Sequence, residues 1–395
     1  MSHFDPRRWS PVARAKTALL SHLRFGADQD YAWRPHHQLG SSGSRNAFLV
    51  LGGLSANGVA ANRQLSRSLH RTCTSAHTWS RNLSGHTGRL FDFSGSRFWH
   101  WILDGAKSLR ALTRQHQMND IVMIGHSTGG LVVLVLAILF ELMPKWFVPN
   151  GKQVKIRGVL VFPAFELKRR SDTIMLSIVA VLYYLICPLA FLMLALTGPW
   201  MWPMSVLAFL LHILLVPQIS VPNGEERARQ AAMGQRWYEL PEKMVLAAAC
   251  IYFVVAPPIL AVGAGVYPGY LSSGAFALFI ATLLTPLYLM PREAERSSLR
   301  QIARQVKYQW MPIITVTNLI ILQWLLRPLL KLVRCPILVI EAELDQVVSV
   351  DSRWVDALGS RDVENRFLLG FPHSGLSVPQ QVDLANVIVK WCGNG

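Results

Sequence analysis

Apolar positions alternate between two patterns in the first 163 residues. Short apolar or alternating runs at Ala47–Leu51, Ser75–Trp79, Ile121–Ile124 and Val159–Phe162 read as strands. Between them, Val59–Leu69, Phe98–His116 and Leu131–Leu142 have helical length and spacing. Strands alternating with helices predict a mostly parallel sheet covered on both faces. After Pro163 the pattern breaks. From Thr173 to Gly224 there is no Asp, Glu, Lys or Arg, and the same holds from Met244 to Pro291. Strand-like runs then return at Cys335–Ile340 and at Phe367-Leu368-Leu369.

A helical crossing of a bilayer needs about 20 apolar residues, so each uncharged stretch is long enough for two. Both are broken near the middle, by Gly198–Pro203 and by Gly263–Gly269, which gives four candidate spans: Ile174–Leu196, Met204–Ile219, Met244–Val262 and Leu271–Met290. Four is an even number, as a chain leaving one sheet and returning to it requires. A fifth apolar segment, Ile313–Leu326, therefore reads as a helix feeding the sheet or lying at the interface. The loops on the core's side carry Lys168, Arg169, Arg170, Arg227, Arg229, Arg236, Lys243, Arg292 and Arg296, whereas the hairpin tips carry no charge. Cationic loops stay cytoplasmic, which predicts a multi-pass membrane protein with its core facing the cytoplasm, in the inner membrane if bacterial. The competing reading is a large lid of buried apolar helices. The expected organisation is a basic segment over 1–44, a first half-core over 45–165, an apolar helical insertion over 166–333 and a second half-core over 334–395.

Composition sharpens this picture. Of 395 residues, 51% are apolar and only 16% charged, with a mean hydropathy of +0.29. Membrane segments beside a globular part account for that balance. The net charge of +16 calls for an anionic partner. No nucleic-acid-binding signature accompanies it, and the cations crowd the N-terminus and the borders of apolar runs, so anionic lipid headgroups fit better than nucleic acid. Met1–Arg45 reads either as a basic amphipathic helix on a membrane face or as a tail with one short helix. Trp200, Trp202, Tyr267 and Tyr270 read as interface anchors. The five cysteines, Cys73, Cys187, Cys250, Cys335 and Cys392, have no metal or disulfide spacing, which points to a reducing compartment and no metal site. Arg7-Arg8 is followed by no apolar run of signal length.

The chemistry concentrates at Gly125-His126-Ser127-Thr128-Gly129, where a predicted strand meets a predicted helix. A serine at the apex of such a turn has strained backbone angles, and glycines two residues to either side remove the collisions. Ser127 is the candidate nucleophile. A general base and an acid to orient it should follow in the order acid, then His. Asp345 lies a few residues past the strand Cys335–Ile340, in competition with Glu341, Glu343 and Asp351. His373 follows the next strand, in competition with His86 and His126; the latter, inside the turn, would approach Ser127 from the wrong side. An oxyanion would be met by the backbone N–H of Thr128 and by a second from the Gly53–Leu54 loop, that of Leu54. No P-loop, dinucleotide glycine motif or metal cluster accompanies these residues, and the chemistry needs no cofactor.

With these residues in place the chain resembles the α/β-hydrolase superfamily, in the branch of monoacylglycerol lipases, lysophospholipases and serine aminopeptidases. The strand and loop Phe48–Leu54 and the turn Ser84-Gly85-His86-Thr87-Gly88 match that branch, except at Gly52, where it often has His, and at Thr87, where it often has Gly. The resemblance spans roughly Asn46–Pro163 and Arg334–Trp391. It implies an α/β-hydrolase fold, in which the apolar stretches form a large helical, transmembrane insertion where the branch has a compact cap. It further implies a serine esterase acting through an acyl-enzyme, and the apolar insertion independently points to a lipid-like ester as substrate, such as a lysophospholipid or monoacylglycerol. Two alternatives stand beside it: an acyltransferase or thioesterase using the same acyl-enzyme, and a membrane scaffold whose hydrolase domain is inert.

Overall fold

The computed structural model describes residues 37–39, 44–53, 58–81, 97–148, 152–168, 170–186, 220–222, 310–349, 352–373 and 376–393, with scattered residues between 188 and 209. The chain divides into two compact units, one built on Ser171–Ile320 and the other on Ser21–Arg170 with Ile321–Gly395.

The second unit is built on a seven-stranded sheet. Its strands are β1 (His37–Leu39), β2 (Asn46–Leu51), β3 (His77–Arg81), β4 (Asp120–His126), β5 (Lys155–Val161), β9 (Ile337–Ala342) and β11 (Val363–Leu368), in the spatial order β1-β3-β2-β4-β5-β9-β11. Only β1 is antiparallel to its neighbour; every other pairing is parallel. Between the strands run α1 (Gly58–Thr72), α2 (Phe98–Arg114) and α3 (Thr128–Leu142), and α6 (Val378–Gly393) follows β11. Parallel strands covered on both faces should be apolar almost throughout, and β2, β4, β5 and β9 are buried along nearly their whole length. The core packs Val50, Ile124, Val161 and Ile340 from the sheet against Leu69, Leu384 and Ile388. A partly buried ion pair ties the last helix down: Arg157 on β5 donates to Asp120 of β4 at 2.7 Å and to the carbonyl of Cys392 at 2.7 Å.

β4 and β5 form the centre of the sheet, and β5 pairs directly with β9 in the register Gly158↔Ile337 to Val161↔Ile340. The two halves of the sequence therefore meet in one sheet although 175 residues, 162–336, separate these strands in the chain. A two-stranded ribbon, β6 (Glu166–Leu167) with β10 (Val348–Ser349), joins the halves again just beyond the strand ends.

In the first unit, α4 (Arg170–Val181) continues into a wider π turn over Leu182–Ile186, and a short ribbon pairs β7 (Ser220–Pro222) with β8 (Trp310–Pro312). Tyr184 donates to the side-chain oxygen of Asn318 at 2.9 Å. α5 (Ile313–Leu326) follows β8 and leads through a 3-10 helix, Arg327–Leu332, into β9. Its 14 residues rise about 21 Å, short of the ~30 Å apolar thickness of a bilayer. Among the described residues no helix is long and apolar enough to cross a membrane. Of the four candidate spans, Met244–Val262 and Leu271–Met290 lie outside the described residues, as does most of Met204–Ile219; Ile174–Leu196 is described continuously only to Ile186. The basic N-terminal stretch, apart from His37–Leu39 and Ser44, also lies outside them, as does the turn Ser84–Gly88.

Candidate active site

β4 runs into α3 with a single residue, Ser127, between them. Ser127 has φ +53° and ψ −118°, a conformation that costs a non-glycine residue on the order of 1–3 kcal/mol. Hydrogen bonds hold it there. Its N–H donates to the Val161 carbonyl at 2.9 Å, and its carbonyl accepts from Gly130 at 3.0 Å and from Ala164 at 3.3 Å. The flanking glycines are sterically required. A Cβ on Gly125 would stand 2.2 Å from the Gly129 carbonyl oxygen, and one on Gly129 would stand 2.6 Å from that of Leu51. The turn is so tight that its two arms touch backbone to backbone, which leaves the serine hydroxyl at the apex.

His373 lies beyond β11, and its Nε2 stands 3.1 Å from the Ser127 Oγ. Its Nδ1 is 2.7 Å from the Asp345 Oδ2. Asp345 follows β9 and is buried. Its other carboxylate oxygen accepts from the N–H groups of Val347 at 2.8 Å and Val348 at 2.9 Å. Burial works to raise this carboxyl's pKa, but the hydrogen bond from His373, the charge of that ring and the two N–H groups outweigh it. The acid is held below the usual carboxylate range and stays charged. Since a carboxylate only accepts, the imidazole Nδ1 carries the hydrogen, leaving Nε2 to face the hydroxyl as an acceptor.

The structure thus brings together Ser127, His373 and Asp345, three residues from three widely separated parts of the chain. It engages the competing acids elsewhere: Glu341 accepts from Asn365 at 2.6 Å, and Glu343 accepts from the N–H of Gly370 at 2.8 Å. Asp351 and His86 lie outside the described residues. Thr128 opens α3, so its N–H belongs to the first turn, where donors have no intrahelical acceptor. Gly53 lies against the serine itself, where a Cβ would fall 2.7 Å from the Ser127 Cβ; Leu54, the expected second donor, lies outside the described residues.

A parallel sheet, a strained serine between strand and helix at its centre, and an acid and a histidine following in that order after later strands define one architecture. The chain has an α/β-hydrolase fold. No family model matches the sequence, and no curated protein does. Solved structures resemble it at low identity. A metagenome-derived lipolytic enzyme is 14% identical over 91% of this chain and 98% of its own, with a TM-score of 0.48. A soluble variant of monoglyceride lipase from Saccharomyces cerevisiae is 11% identical over 90% of each chain, with a TM-score of 0.46. Monoacylglycerol lipase from Paleococcus ferrophilus is 12% identical over 90% of this chain and 96% of its own, with a TM-score of 0.43. Assignment of the fold rests on the strand order and the elbow.

Two side chains at this hydrolase-type site escaped sequence reasoning. Lys168, read as one of the cationic loop residues, donates to the Asp345 carbonyl at 2.5 Å and braces the acid's loop. His126, set aside as a base, points its Nε2 at the His373 carbonyl, 2.8 Å away. Neither contact has a local sequence signal, because 177 and 247 residues separate the partners. Two thiols among the described residues are held protonated: burial pushes Cys335 up to about 12 and the partly buried Cys392 up to about 11. Nor do the described residues include a cluster of three His, Cys, Asp or Glu able to hold a metal ion.

Proposed function

We propose that this protein is a membrane-associated serine hydrolase that cleaves a carboxylic ester of a lipid-like substrate through an acyl-enzyme on Ser127. The observation that carries the reading is the relay in which Asp345, His373 and Ser127 stand in hydrogen-bond sequence, at 2.7 Å and 3.1 Å. In the first half-reaction the Ser127 Oγ attacks the ester carbonyl carbon while His373 Nε2 takes its proton. Asp345, already charged, stabilises the imidazolium so formed. The oxyanion of the tetrahedral intermediate sits at the Thr128 N–H, where the positive end of α3 also points. Collapse expels the alcohol, which recovers the proton from His373. A water molecule then enters, gives its proton to His373 and attacks the acyl carbon. Release of the fatty acid returns that proton to Ser127.

Lipid as substrate is supported from the other unit. Along α4 and its continuation, Ile174, Ile178 and Leu185 are 52%, 45% and 61% exposed, and Val181 lies between them. Their spacing places them on one helical face, with Leu176, Val179, Ala180 and Tyr183 buried on the other. A continuous exposed stripe of branched apolar side chains is a surface suited to hydrocarbon. Together with the uncharged stretches beyond it, this stripe supports insertion in a bilayer and a substrate drawn from it.

The test is labelling of membranes from expressing cells with a fluorophosphonate probe, beside a Ser127→Ala control. Labelling confined to the wild type is expected, followed by fatty-acid release from a panel of lysophospholipids and monoacylglycerols. Folded wild-type protein that labels no more than the control would remove the catalytic reading.

A further inference from the structure

We propose that His126 is a positioning residue for catalysis: its ring holds the loop that carries the base against the nucleophile turn by donating Nε2–H to the carbonyl of His373. The inference rests on the serine-hydrolase reading above, and gives a function to a side chain that the relay itself does not use.

Geometry supplies the argument. A carbonyl only accepts, so the 2.8 Å contact fixes the proton of His126 on Nε2. The restrained atom belongs to the backbone of His373, the residue whose ring must stay 3.1 Å from the Ser127 Oγ. His126 is the immediate neighbour of Ser127, so nucleophile and base are cross-linked through one rigid ring. Its own position is over-determined. A Cβ on Gly53 would stand 3.1 Å from the His126 Nδ1, so the ring lies close against the loop expected to supply the second oxyanion donor. Phe162 closes the remaining side, with ring centroids 5.9 Å from His126, 6.5 Å from His373 and 6.4 Å from Phe371. One imidazole therefore touches the three pieces of chain that must keep register during the reaction.

The choice of an imidazole that stays neutral also fits. Proton transfer from Ser127 places a positive charge on His373, whose ring centroid is 5.3 Å from that of His126. A second cation there would oppose the transfer. Burial, followed by the proximity of His373, lowers the His126 pKa to about 4, against the smaller opposing effects of its hydrogen bond and of Asp345. His126 thus donates a hydrogen bond without contributing charge.

Methionine and glutamine test this as a pair, because they have nearly the same shape and only glutamine can donate from the position of Nε2. The measurement is the rate of Ser127 acylation by the fluorophosphonate, resolved into the limiting rate and the half-saturating probe concentration. Rates are normalised to folded protein by a thermal melt of each variant. His126→Met is expected to lower the limiting rate by about 10- to 100-fold with little change in half-saturation, the scale associated with misplacing a reacting group by about an ångström. His126→Gln should recover most of that loss. Equal limiting rates for the two variants, or a Met variant as fast as wild type, would overturn the proposal and leave the hydrolase reading intact. Wild-type protein that fails to label at Ser127 would overturn both.

Discussion

At the scale of single residues, the site depends on which groups are charged. Asp345 must be an anion, and His126 must not be a cation. The second requirement makes stability depend on pH with a definite sign. An unfolded histidine titrates near 6.5, whereas His126 in the fold does so at about 4. Between those values the unfolded chain binds the proton and the folded one does not, so stability falls as pH drops through this window and the loss is complete below about 4. The difference corresponds to about 3 kcal/mol, the equivalent of the roughly 2.5 units between 6.5 and 4. Asp345 acts in a different window, because its lowered pKa gives a contribution that is full above the ordinary carboxylate value of 3.8 and lost only as pH falls through the folded value below it. Melting temperatures of wild type and His126→Gln should therefore diverge: between pH 7 and 4.5 the wild type should lose more. Parallel curves would mean that the ring titrates normally in the fold.

At the scale of elements, the nucleophile turn works because three glycines let backbones meet. Gly125 and Gly129 hold the two arms of the elbow together, and a methyl on either would collide with backbone that cannot yield. Gly53 differs from them. It lies on the opposite loop, where a Cβ would meet the Ser127 Cβ at 2.7 Å and the His126 carbonyl oxygen at 2.8 Å. Gly53→Ala should leave the sheet folded while pushing the oxyanion loop away from the serine. A loss of one oxyanion donor costs about 10²–10³ in turnover, so acylation should fall by that order while the melting temperature changes little. Retention of full acylation would place the second donor elsewhere. These elements also show why the elbow was legible from sequence: its strand, glycines and helix are consecutive, and their spacing is itself the signal. Asp345 and His373 were legible through their order after two apolar strands. By contrast, β1 is three residues of edge strand, His37-Gln38-Leu39, with no pattern to announce it. α6 buries Gln381 beside Leu384 and Ile388, and that mixed face hid it. The contacts of His126 and Lys168 exist only because the sheet brings distant loops together.

At the scale of the whole molecule, the pairing of β5 with β9 constrains everything between them. Adjacent parallel strands in register begin at the same end of one sheet, so a chain that leaves β5 and enters β9 must return to the side of a membrane from which it departed. An even number of crossings is then required of any insertion, and α5, too short to span, leads through the 3-10 helix Arg327–Leu332 into β9. The distribution of cations in the sequence predicts the direction. The loops expected on the catalytic side hold nine Lys and Arg, from Lys168 to Arg296, and the two hairpin tips hold none. Four spans would place the tip Gly263–Gly269 away from the cytoplasm and Arg229 towards it, an expectation from the sequence at positions outside the described residues. Single cysteines report this directly in a background with Cys73, Cys187, Cys250, Cys335 and Cys392 all replaced by serine. Gly265→Cys should react with a membrane-impermeant maleimide in intact cells, and Arg229→Cys only after permeabilisation. Carbonate at high pH should leave the protein in the membrane pellet. If carbonate releases it, and neither cysteine distinguishes intact from permeabilised cells, the uncharged stretches form a buried lid. The substrate would then reach Ser127 from water, and the hydrolase should prefer short, soluble esters to lipids.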